Sequence, residues 1–323
     1  LAVSTSVALS TGANATTIDG QSDHTGRIAA GGTIEVPVLG RGGVPASGVG
    51  SVALNVTVTS PAAAGYLVVW PTGQPTPLAS NVNYSAGQTV PNMVVVPVGA
   101  GGKVSLQNGS TRTIDAIIDV LGWFPPGSFN GLTPARIMDT RTPPGQPSHA
   151  LGQGEVRNLT VTGSAGVPAS GVAAVAVNVT VTDPTRDGYI TVFPAGEAQP
   201  ATSSVNFVAR QTVPNLVVSG VGANGQISIL NPIGSTQVVV DILGWFPVGG
   251  SFHGVTPSRM VDTRSGQHTD DGQYQGIGAI AGGSTLDVAL AGRGGVPSSG
   301  AGSVALNVTV TNPSAAGFLT VWP

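Results

Sequence analysis

Asp139 and Arg141 stand in PARIMDTR (134–141), and Asp262 and Arg264 stand in PSRMVDTR (257–264), with Arg136 and Arg259 just upstream of each aspartate. A second pair of carboxylates, Asp119 and Asp241, precedes LGWF in IIDVLGWFP (117–125) and VVDILGWFP (239–247). Carboxylates that recur with fixed neighbours suit two kinds of work. Two of them facing a cleft perform acid–base hydrolysis or hold a cation. Alternatively they form structural ion pairs, because a buried carboxylate must be matched by arginine or backbone N–H groups. Charged residues are 8% of this chain, against roughly 25% in an ordinary soluble domain. Structural pairing is therefore the expectation for Asp139, Arg141, Asp262, Arg264, Asp119 and Asp241, and no residue is assigned a catalytic role.

Other chemistries find less support. The histidines are His24, His149, His253 and His268, with no HExxH spacing, and cysteine is absent, so no metal site is expected. No serine sits in a GxSxG elbow. GRGGVPASG (40–48) resembles a phosphate loop only superficially: it lacks GK[ST] and a following helix, and reads as a Gly-rich turn. DGQSDHTG (19–26) and SGQHTDDGQYQG (265–276) carry Asp19, Asp23, Asp270 and Asp271, but not the alternating ligand spacing that calcium requires. These read as solvated loops, and no cofactor is expected.

Two sets of aromatics recur: Tyr66, Tyr189 and Phe318, and Trp70, Phe193 and Trp322. Exposed near Asn, Gln and Thr, they would stack sugar rings; turned inward, they would pack a core. Both readings stay open. Trp123, Phe124, Trp245 and Phe246 end successive units and are expected at module junctions.

The elements that must hold these residues repeat along the chain. Asn55 recurs as Asn178 and Asn92 as Asn215, each displaced by 123, the difference of the two numbers. VALNVTVT (52–59) returns unchanged at 304–311, and VAVNVTVT lies between them at 175–182. A repeat at fixed period is the mark of tandem modules. The second unit reads as ARIMDTR, EVRNLTV, VAVNVTVT, GYITVFP, SSVNF, NLVVSGV, QISIL and TQVVVDILGWF, short Val-, Ile- and Thr-rich runs bounded by Gly, Pro, Asn or Ser. These are strand signals, and no stretch shows helical periodicity. Val175, Val177, Val179 and Val181 share one strand face, while Ala176, Asn178, Thr180 and Thr182 share the other, in contact with solvent or a polar interior. VVVDILGWF, apolar on both faces but for its Asp, reads as a central strand.

Eight such strands make an all-β sandwich or jelly roll; two propeller blades of about 60 residues are the alternative. The expected divisions are unit 1 over 1–125, unit 2 over 126–247 and unit 3 over 248–323. In unit 1, LAVSTSVALSTGANATTID replaces the PARIMDTR strand, while unit 3 holds only the first four strands. Half a sandwich leaves open edges for another chain, so completion by strand donation is expected, from the same chain or a neighbour.

PARIMDTR, GRGGVPASG, VALNVTVT, GYLVVWP (65–71), SNVNY (80–84), TVPNMVVV (89–96) and DVLGWF (119–124) together resemble a tandem repeat appended to secreted proteins of high-GC Gram-positive bacteria. The resemblance covers nearly the whole chain, departing from it in residues 1–26. It implies an extracellular or cell-surface setting and no reaction.

Net charge is −3 with Lys103 as the one lysine, so neither nucleic acid nor membrane insertion is expected, and apolar runs fall far short of the ~20 residues that span a bilayer. The combined expectation is a non-enzymatic, extracellular or cell-surface repeat scaffold, structural or adhesive, self-associating into filaments through its incomplete ends. The alternative is a multivalent carbohydrate-binding module for cell-wall or extracellular polysaccharide.

Overall fold

The computed structural model describes residues 17, 19–21, 26–141 and 149–323. Among them are fifteen strands and no α-helix. LAVSTSVALSTGANATTID lies almost wholly outside the described residues, as do Asp23 and His24.

In unit 2, β8 (Asn130–Asp139), β9 (Glu155–Thr160), β10 (Val172–Thr182) and β11 (Gly188–Pro194) come first. Next come β12 (Val205–Phe207), β13 (Val213–Gly220), β14 (Gln226–Asn231) and β15 (Gln237–Pro247). They form two antiparallel sheets, ordered β13-β10-β15-β8 and β12-β11-β14-β9. That is the strand order of a jelly roll. The propeller alternative fails because each sheet draws strands from both halves of the repeat and the two sheets close on one core. Val175, Val177, Val179 and Val181 point into it, opposite Ile190, Val192, Ile227 and Ile229 of the other sheet.

Unit 1 repeats the plan. Strands β1 (Thr33–Pro37), β6 (Lys103–Asn108), β3 (Gly65–Pro71) and β4 (Val82–Tyr84) make one sheet. The other, ordered β5-β2-β7, consists of β5 (Val90–Pro97), β2 (Ser51–Thr59) and β7 (Asp115–Phe124). Among the described residues nothing occupies the place that β8 fills beside β15, and Trp123 on β7 is 38% exposed.

The LGWF phrase breaks the two-residue alternation. Val177 pairs with Ile242 but Ala176 pairs with Gly244, so Leu243 is a bulge. Strand β7 shows the same shift between Leu54–Val120 and Ala53–Gly122. The extra residue turns both Leu243 and Phe246 outward, into a cluster with Phe129, Ala174 and Ala176, and keeps Trp245 against the core. Of the expected junction residues, Phe124 and Phe246 are therefore at the junction; Trp245 packs inside and Trp123 lies at an open margin.

Unit 3 departs from expectation. Its four anticipated strands are absent: residues 248–323 hold a single bridge, Asp262 with Gln275, and no ladder. Its buried residues are Asp262, Thr269 and Arg293, all polar. The reason lies in the topology. Every ladder in units 1 and 2 joins one of the first four strands of the repeat to one of the last four. A first half alone has nothing to pair with.

Candidate functional site

The recurring charges are spent on one another. In unit 2, Arg141 Nε donates to Asp139 Oδ1 at 2.8 Å, and Arg136 Nη1 reaches Asp139 Oδ2 at 3.2 Å. Arg136 Nε also donates to Asp241 Oδ1 at 3.0 Å, so one guanidinium bridges strands β8 and β15. Asp262 is held in the same way by Arg259 and Arg264. Arg141 holds the Asp139 carboxyl below its ordinary range, and Arg264 does so for Asp262. Burial pushes Asp241 upward, opposed by Arg136. These carboxylates face guanidinium groups and backbone N–H, the arrangement of a structural pair. Asp119 differs from the expected ion pair. Among the described residues its partner is Asn55, and burial raises its carboxyl. The arginine equivalent to Arg136 belongs to a PARIMDTR strand that unit 1 lacks.

The loops expected to be solvated are pinned. Arg41, 5% exposed, donates from Nε and Nη2 to both oxygens of Asp19, at 2.8 and 2.9 Å, and holds that carboxyl down to about 2. Buried Arg293 grips Asp271 in the same bidentate way, lowering its carboxyl. Thr17 and Thr269 each donate to the carbonyl four residues on, Gln21 and Gln273. The signal was present as TIDGQ (17–21) and TDDGQ (269–273), each matched by an arginine in GRGGVP, while unit 2 has neither phrase and carries Ser164 where Arg41 stands.

The recurring aromatics do not form a common surface. Trp70 and Phe193 are buried, Trp70 donating its indole N–H to the Gln74 carbonyl. Tyr66 is exposed but lies against Gly109, where a Cβ would come within 2.2 Å of its ring. Tyr189 is half-buried, and Phe318 and Trp322 are exposed at 95% and 59%. A shallow open groove beside Thr72, Gln74, Gly99, Gly131 and Thr133 has no ionisable side chain in its lining.

What the repeat does bring together is a junction between units. Asn178, on the outer face of β10, is 1% exposed. Its Nδ2 donates to the Ser80 carbonyl at 2.8 Å, and its Oδ1 accepts from Asn92 Nδ2 at 2.9 Å. Asn92 Oδ1 in turn accepts from the Leu216 N–H at 3.0 Å. The β4–β5 edge of unit 1 thus lies on the outer face of unit 2, where a Thr/Asn face met by solvent or a polar interior was expected. The next junction reuses the same positions. Asn307 Nδ2 donates to the Ser203 carbonyl at 2.8 Å, and its Oδ1 accepts from Asn215 Nδ2 at 3.2 Å. Ring contacts run through both: Phe124 to Phe129 at 5.4 Å, Phe129 to Phe246 at 4.8 Å, and Phe246 to Phe252 at 4.4 Å. Sequence reasoning found Phe124 and Phe246 and missed Phe129, Phe252 and the asparagines, although Asn55, Asn178 and Asn307 recur in one phrase and Asn92 and Asn215 in another.

No protein-family model matches the chain, and no curated protein matches it. Among solved structures it is similar to the major capsid protein P2 from Bacteriophage PM2, at 10% identity and a TM-score of 0.30, over 69% of this chain and 95% of that one.

Proposed function

We propose that this chain is a non-enzymatic structural scaffold, a stack of jelly-roll units set head to tail outside the cell or on its surface. One observation carries the reading: the Asn178–Asn92 contact of the first junction returns as Asn307–Asn215 at the second. A contact that joins different patches of successive copies propagates in one direction, which is how filaments and rods are built. The extracellular setting draws on the scarcity of charge and on the resemblance of the repeated phrases. The carbohydrate-binding alternative loses its platforms at Trp70 and Phe193, which are buried.

Small-angle scattering tests the stack. A single compact globule of this length has a radius of gyration of about 20 Å. A clearly larger value is expected, with a second maximum in the distance distribution at the unit-to-unit spacing; a single-globule profile would refute the stack. Pull-down on chitin, cellulose and peptidoglycan should match the blank resin, and saturable binding would favour the lectin reading.

A further inference from the structure

The octapeptide VALNVTVT occurs in two states in one molecule. At 52–59 its Val52, Leu54, Val56 and Val58 are all 0% exposed, between β5 and β7. At 304–311 the equivalent Val304, Leu306, Val308 and Val310 are 36–58% exposed and pair with nothing. Sequence cannot cause the difference, because it is the same. The partner strands do.

We propose that residues 249–323 are an acceptor for the second half of a repeat unit, a polypeptide segment with the four-strand pattern of residues 203–247. Three observations specify that occupant. The described strands of a first half pair, in both sandwiches, with strands of a second half and never with each other. The acceptor is already aligned: Asn307 and Thr309 hold its outer face on Asn215, Ser203 and Asn206, which leaves the valine face of 304–310 turned to solvent. The charges also match. Arg259 stands where Arg136 stands in unit 2, and bonds Asp262 and the Ala201 carbonyl where Arg136 bonds Asp139 and the strand aspartate Asp241. An incoming VVVDIL strand brings that aspartate. Binding forms β ladders by strand addition and buries the exposed apolar face.

The inference rests on reading 249–323 as the third unit of the proposed stack. The stack is tested by small-angle scattering of the chain without any occupant, so either can fail alone. A synthetic peptide of residues 203–247 is titrated onto the full chain, with amide hydrogen exchange as readout. The expected result is saturable protection confined to 249–323 and strongest over 304–311, with Arg259→Ala weakening affinity about tenfold. Protection appearing in 172–194 instead would mean exchange into unit 2 and would overturn the proposal. Should the peptide precipitate, a chain extended beyond Pro323 by a copy of 203–247 gives the same reading. Its amides at 304–311 should then exchange as slowly as those at 52–59, and fast exchange there would overturn the proposal.

Discussion

Asn108 and Asn231 occupy the same place in two sandwiches, both 0% exposed, yet only one is fully satisfied. Nδ2 of each donates to three carbonyls: Ile28, Ala29 and Arg112 for Asn108, and Leu151, Gly152 and Gly234 for Asn231. Asn108 Oδ1 accepts from the Tyr84 hydroxyl at 3.0 Å and from the Ser110 N–H. Asn231 Oδ1 has no partner: unit 2 has Phe207 where unit 1 has Tyr84, and the backbone bond that Ser110 makes in unit 1 has no counterpart there. An orphaned buried acceptor costs about 1–3 kcal/mol, and a restored neutral bond returns roughly 1 kcal/mol. Phe207→Tyr should therefore stabilise unit 2 by about 1 kcal/mol, and Tyr84→Phe should destabilise unit 1 by a similar amount. Urea denaturation of both variants checks the pair. Destabilisation by Phe207→Tyr would show that the hydroxyl does not reach Asn231.

At the scale of the strand, the bulge at Leu243 decides what LGWF means. Gly244 sits where β15 crosses Phe129: a Cβ there would lie 2.3 Å from Phe129 Cζ and 2.7 Å from the Asn130 carbonyl oxygen. Backbone cannot yield as a flexible side-chain tip does. Gly244→Ala should cost about 1–3 kcal/mol by overpacking, read as a fall in the urea midpoint. Gly282→Ala, with nothing near its Cβ, should change stability by less than about 0.5 kcal/mol. Equal effects would remove the close approach as the reason for this glycine. The same element shows how much of the fold the sequence disclosed. Alternation in VAVNVTVT identified the core face, since a period of two is local. The outward turn of Leu243, and the split that sends Phe246 to the junction and Trp245 to the core, were not readable, because a bulge shifts phase without changing composition. Nor was the role of Asn178, whose polar face suits solvent equally well until a neighbouring unit covers it. The DTR pairs could be read, being short-range in sequence, while the Arg41–Asp19 pair spans 22 residues and needed the loop geometry.

Across the whole molecule, the junction determines whether two sandwiches behave as one body. Each core is drawn from the residues of its own unit, and the cluster around Phe129, Phe246, Ala53 and Val95 is the apolar material they share. Asn178 adds two hydrogen bonds to it, both between side chains or carbonyls with little access to water. Removing that side chain takes away two bonds, to Asn92 Nδ2 and the Ser80 carbonyl, while Asn92 keeps the Asn81 carbonyl and the Leu216 N–H; the loss of about 1–3 kcal/mol falls on the coupling between units. Asn178→Ala should therefore split a shared urea transition of units 1 and 2 into two, with circular dichroism still reporting full β content before the first. Asn307→Ala removes the equivalent contact where the partner segment is exposed, so its effect should be about 0.5 kcal/mol or less. The ordering of the two variants is the decisive feature. A junction that holds units in register must cost more to break where both sides are folded, and the reverse order would leave the stack without its fastening.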